Sequence, residues 1–89
     1  MEKMANNAEI VKLIIYVRKD CHLCSDMISE LKKLQAKLCF NIELVDVDSN
    51  AGLLEKYGEF VPVLMGDNAE ICHFYLDAKA LDAYFAKIR

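Results

Sequence analysis

Two cysteines separated by two residues, Cys21-His22-Leu23-Cys24, are the residues of this 89-residue chain best suited to chemistry. Such a pair either coordinates a metal or opens and closes a disulfide, and the surrounding elements decide between the two. A thiol with a pKa near 8.5 is only ~3% ionised at pH 7, whereas one drawn down to about 5.5 is almost fully thiolate, so placement controls reactivity. Arg18 and Lys19 favour the thiolate, and Asp20 and Asp26 oppose it. His22, as an imidazolium, would add to the favourable side. Two more cysteines, Cys39 and Cys72, lie far along the chain, the second beside His73.

The elements that must position this pair follow from periodicity. Val11 to Val17 is β-branched and apolar on both faces apart from Lys12, which predicts a buried central strand. Arg18-Lys19-Asp20 interrupts it. From Cys21 the apolar residues Cys24, Met27, Ile28, Leu31 and Leu38 recur at helical spacing, and Lys32, Lys33 and Lys37 crowd the end as the dipole prefers. A largely continuous helix to Leu38 is expected. Cys21 then sits at its N-terminus, where unpaired amides stabilise an anion, with Cys24 one turn deeper.

Phe40 to Val47 predicts a second strand, parallel to the first through a right-handed crossover. Asp48-Ser49-Asn50 offers caps for a short helix carrying Leu53, Leu54 and Tyr57 and ending at Gly58. Phe60 to Met65 and Glu70 to Tyr75 predict a hairpin across Gly66-Asp67-Asn68. Asp77 caps a last helix with the apolar stripe Leu81, Tyr84, Phe85 and Ile88.

A Cys-x-x-Cys pair between strand and helix of a βαβ unit is the redox setting, not the metal one. Cys39 lies about 22 Å along the helix from Cys24, beyond disulfide reach or a shared zinc shell, and is expected to be a packed residue at the helix end. Cys72 and His73 point to opposite faces of their strand, so only one can face the pair. Lys12 is an outside candidate for proton transfer at the buried side of Cys24.

Composition narrows the class. At 55% hydrophobic and 28% charged, with one proline and three glycines, the chain is one globular domain over residues 1–89, with residues 1–8 a loose lead-in. These proportions exclude intrinsic disorder and collagen-like repetition. A net charge of −3 provides no cation surplus for nucleic acid. The apolar run Ile10 to Val17 contains Lys12 and is too short to span a bilayer, so no membrane partner and a cytoplasmic location are expected. There, cysteines are usually reduced, catalytic or metal-bound.

Cys21-His-Leu-Cys24 after the first strand and Val61-Pro62 opening the third resemble the glutaredoxin-like branch of the thioredoxin superfamily, over residues 11–88. The chain is most similar to small bacterial glutaredoxin-like proteins with this motif. The resemblance implies a thioredoxin-like three-layer α/β sandwich, its four-stranded mixed sheet in order 2-1-3-4 with helices on both faces. It implies a dithiol oxidoreductase in which Cys21 is the nucleophile and Cys24 resolves, with a cis Pro62 beside the pair; His22, by its own charge between the two cysteines, is expected to support the thiolate. Arg18, Val61, His73 and Asp77 are the implied substrate-binding residues. The expected partner is a disulfide-containing protein or small thiol, with an external electron donor, no bound cofactor or metal, and glutathione as candidate co-substrate; a monomer is expected.

Three segments depart from the glutaredoxin pattern. His22-Leu23 replaces Pro-Tyr, Phe60 replaces a threonine before Val61-Pro62, and Cys72-His73 falls on a Gly-Gly pair. The rival expectation is a non-enzymatic module, holding an iron–sulfur cluster at a dimer interface or serving as a partner-docking domain.

Overall fold

The computed structural model describes residues 11–88. The expected lead-in, residues 1–8, lies outside them. Four strands and three helices follow in chain order: β1 (Val11–Val17), α1 (His22–Gln35), β2 (Phe40–Asp46), a 3-10 turn (Val47–Ser49), α2 (Ala51–Tyr57), β3 (Val63–Gly66), β4 (Ala69–His73) and α3 (Ala78–Lys87). The sheet order is β2-β1-β3-β4, as the resemblance implies, with β1 parallel to β2, as the strand–helix–strand pattern predicts, and antiparallel to β3.

β1 is central because both of its faces are apolar. Leu13 and Ile15 are fully buried on one face, against Met27 and Leu31 of α1 and Leu81 and Phe85 of α3. Each such side chain contributes on the order of 1.5–3 kcal/mol relative to exposure. On the opposite face Tyr16 stacks on Tyr57 of α2, ring centroids 4.5 Å apart. The helices therefore cover both faces.

Several boundaries differ from the expectation, and the larger shifts have local reasons. α1 stops at Gln35, three residues before Leu38. The Gln35 side-chain amide donates to the Phe40 carbonyl at 2.8 Å, turning the chain back into β2, while the amides of Lys37 and Leu38 close onto the Leu34 carbonyl. Leu38 keeps the helical rhythm because it folds onto the core, not because the helix continues. Cys39, expected to be packed, is exposed in that turn. β3 begins at Val63 and not at Phe60, because Val61-Pro62 precedes it and proline has no N–H for the ladder.

The hairpin turn needs only Asp67 and Asn68, whose φ of 55° and 68° give the left-handed pair that matches strand twist. β4 ends at His73 because Phe74 has φ 66°. Among the described residues no helix is long and apolar enough to cross a membrane.

Candidate redox site at the head of α1

β1 runs straight into the site. After Val17 the chain makes a tight turn through Asp20, at φ 56°, and Cys21 becomes the N-cap of α1. Its sulfur occupies the place an N-cap side-chain oxygen takes, accepting the Cys24 backbone N–H at 3.1 Å. The two sulfurs are in disulfide contact, with Cα atoms 5.2 Å apart. The two partners are unequal. Cys24 is 3% exposed beneath the first turn, whereas Cys21 is half-buried and opens on a surface hollow of about 550 Å³ that Arg18, His22, Ser25 and Ile28 also line.

Of the three positive groups expected to favour a thiolate, Arg18 and His22 are engaged. Arg18 grips Asp48 in the turn after β2, Nε donating to Oδ2 at 3.2 Å and Nη2 to Oδ1 at 3.0 Å. His22 is 88% exposed, and its Nε2 lies 3.5 Å from Asp26 Oδ2, one turn along the helix. The positive charge that Arg18 and a protonated His22 bring near Cys21 is thus partly cancelled by two carboxylates. Asp48 lies thirty positions from Arg18, and no local signal in the sequence pairs them. The His22–Asp26 spacing of four is legible once a helix is assumed.

Val61-Pro62 is a cis peptide bond, as the resemblance implies, and Pro62 is fully buried. Val63 is the register partner of Tyr16, so Val61 and Pro62 lie beside the end of β1 from which the cysteine loop departs. His73 and Asp77 do not line the cysteine hollow. They border a second one, of about 730 Å³, with Glu70, Cys72, Tyr75 and Lys79. His73 pairs with Glu70 and packs edge-on against Phe60 and Phe74, an aromatic cluster that no periodicity announced. The Asp77 carboxylate accepts the Ala80 amide at 3.1 Å as the expected cap of α3.

Cys72 turns the other way, into the buried core cluster, as the register partner of Leu64. Burial pushes its thiol above the ordinary value, an effect opposed by a backbone hydrogen bond at Asp77 and reinforced by the Asp77 and Glu70 charges. Lys12 is exposed at the far end of β1 and pairs with Glu43 at 3.0 Å, so it does not reach Cys24. Among the described residues no three His, Cys, Asp or Glu side chains are grouped to hold a metal ion.

A solution structure of a Nitrosomonas europaea protein superposes with a TM-score of 0.80 at 41% identity, covering 85% of this chain and 92% of that one. An X-ray structure of a Xanthomonas campestris protein gives 0.62 at 33% identity, covering 84% and 96%. An uncharacterised Mycobacterium tuberculosis protein is 28% identical over 82% of this chain and 80% of its own length. Thioredoxin from Fasciola hepatica shares the fold, with a TM-score of 0.57 at 19% identity, covering 99% of this chain and 90% of that one. The glutaredoxin-like domain family (DUF836) matches residues 12–86. That span runs from the second residue of β1 to the penultimate residue of α3, so the match is to the whole α/β unit: the chain belongs to this glutaredoxin-like family and has a thioredoxin-like fold.

Proposed function

We propose that the protein is a dithiol thiol–disulfide oxidoreductase acting in the cytoplasm on a disulfide-containing protein. The observation that carries this reading is the asymmetry of the cysteine pair, one sulfur at the mouth of a hollow and its partner beneath it, in disulfide contact. The Cys21 thiolate attacks one sulfur of the substrate disulfide, forming a mixed disulfide and expelling the other substrate sulfur as a thiolate. Cys24 loses its proton and attacks Cys21 Sγ, releasing the second substrate thiolate. Two electrons have passed to the substrate, and Cys21–Cys24 is left oxidised. An external thiol reductant returns them.

The backbone N–H of Cys24 supports the attack, because a hydrogen bond to the charged sulfur favours its ionised form. A protein or peptide disulfide fits this reading better than glutathione. At the Gly-Gly position Cys72 is packed into the core and His73 is held in an aromatic cluster, in place of a bare backbone for a tripeptide to approach.

The deciding experiment is a titration in glutathione redox buffers, with alkylation and mass spectrometry reporting which cysteines pair. The expected result is a reversible Cys21–Cys24 disulfide with a midpoint between about −120 and −270 mV, lost in Cys21→Ser together with exchange activity. A pair that does not interconvert over that range, or exchange that survives Cys21→Ser, overturns the mechanism.

A further inference from the structure

The hollow at the cysteine pair does not end there. Ser25 and Ile28 line it and also line a second hollow, of about 530 Å³, that continues along α1 past Ser29 to Lys32 and Lys33. These five positions follow a spacing of three and four, so they form one stripe of the helix surface. Two hydroxyls and a half-buried isoleucine make its floor, and two exposed lysines close its far end. Among the described residues neither lysine makes an ion pair, whereas Lys12, Arg18, His22 and His73 all do. Asp26 lies on the neighbouring row and is turned to His22. Asp20 is the one carboxylate lining the groove, and it stands at the cysteine end.

We infer that this stripe is a docking groove for an extended acidic segment of the substrate protein, one that carries the reactive cysteine at one end and carboxylates at the other. The inference rests on the oxidoreductase reading and adds the class of substrate. Charge complementarity names the occupant: the chain as a whole is negative, at −3, so an acidic partner is repelled except where a local cation pair meets it. The helix dipole accounts for lysines in the last turn of α1, but not for both of them bordering a groove that begins at Cys21. Geometry sets the spacing. Lys32 and Lys33 lie eleven and twelve residues beyond Cys21 along a helix, about 17–18 Å at 1.5 Å per residue. An extended peptide covers that distance in about five residues. The carboxylates therefore belong about five positions from the substrate cysteine.

The test compares exchange rates of the reduced protein with synthetic peptide disulfides of identical composition. They carry two glutamates either five and six residues from the cysteine, before or after it, or directly beside it. Exposed ion pairs are individually weak, so the distal arrangement is expected to react about three- to tenfold faster, with the advantage shrinking as salt is raised. Lys32→Glu/Lys33→Glu should reverse the preference toward peptides with distal lysines, and Lys32→Gln/Lys33→Gln should abolish it.

Both variants should reduce bis(2-hydroxyethyl) disulfide at the unaltered rate, because that substrate is too small to reach the lysines. A distal-glutamate advantage that is absent, or that persists in both variants, overturns the docking inference. Failure of the protein to reduce the small disulfide overturns the oxidoreductase reading instead. In that event, amide shifts of Ser25, Ser29 and Lys32 on titration with the cysteine-to-serine acidic peptide still decide the docking: movement supports it, and their absence refutes it.

Discussion

At the scale of single residues, burial assigns different chemistry to four identical thiols. Cys21 and Cys24 share a helix N-terminus, Cys39 stands exposed in the turn after α1, and Cys72 is enclosed by the core. The thiolate of Cys72 is costly in that environment, so its folded pKa lies above its ordinary 9.0, with desolvation the leading cause. The sign of the linkage follows. The unfolded chain releases this proton at lower pH than the folded one, so the stabilisation is complete below the unfolded pKa and is lost as pH rises through the folded value. Thermal unfolding midpoints are therefore expected to fall from about pH 8 to about pH 10 in the native sequence, and to fall less steeply in Cys72→Ala. Equal slopes for the two would show that Cys72 is not the titrating group. In native protein at pH 8, iodoacetamide should label Cys39 quickly and Cys72 slowly.

At the scale of elements, close approaches decide where side chains are forbidden. Gly58 ends α2 at φ −55°, an ordinary right-handed value, so its lack of a side chain is not there for a left-handed cap. A Cβ at that position would lie 2.5 Å from the Leu54 carbonyl oxygen. Gly66 at the end of β3 is the second such case, because a Cβ there would meet the Tyr84 ring of α3 at 2.6 Å. Gly66→Ala should destabilise the fold by about 1–3 kcal/mol through overpacking. Tyr84→Ala removes the obstacle, so the double variant should be more stable than the two single losses add up to, by about 0.5–3 kcal/mol. Chemical denaturation of the four proteins measures this, and strict additivity would mean that the ring is not what Gly66 accommodates.

At the scale of the whole molecule, one face of the sheet carries the core and holds the site in place. Leu31 is fully buried in α1, the helix that presents Cys21, and packs in the cluster with Leu13, Ile15 and Leu81. Leu31→Ala should cost about 2–5 kcal/mol, a large share of the stability of a domain this small. Urea unfolding should show the loss as a lower midpoint at an unchanged slope. A loss below about 1 kcal/mol would mean that the core relaxes around the cavity.

Much of this architecture was legible in the chain. Apolar content on both faces of Val11 to Val17 determined a central strand, and the cysteine spacing at a strand–helix junction marked the candidate redox site. Local periodicity carries such information because it depends on neighbours three or four residues away. Tertiary structure alone decided what surrounds the site. Asp48 clamps Arg18 across thirty residues, and His73 lies away from the cysteine hollow, packed against Phe60 of the loop before β3. These pairings depend on which strand ends the fold brings together, a property of the assembled four-stranded sheet that no window of sequence contains.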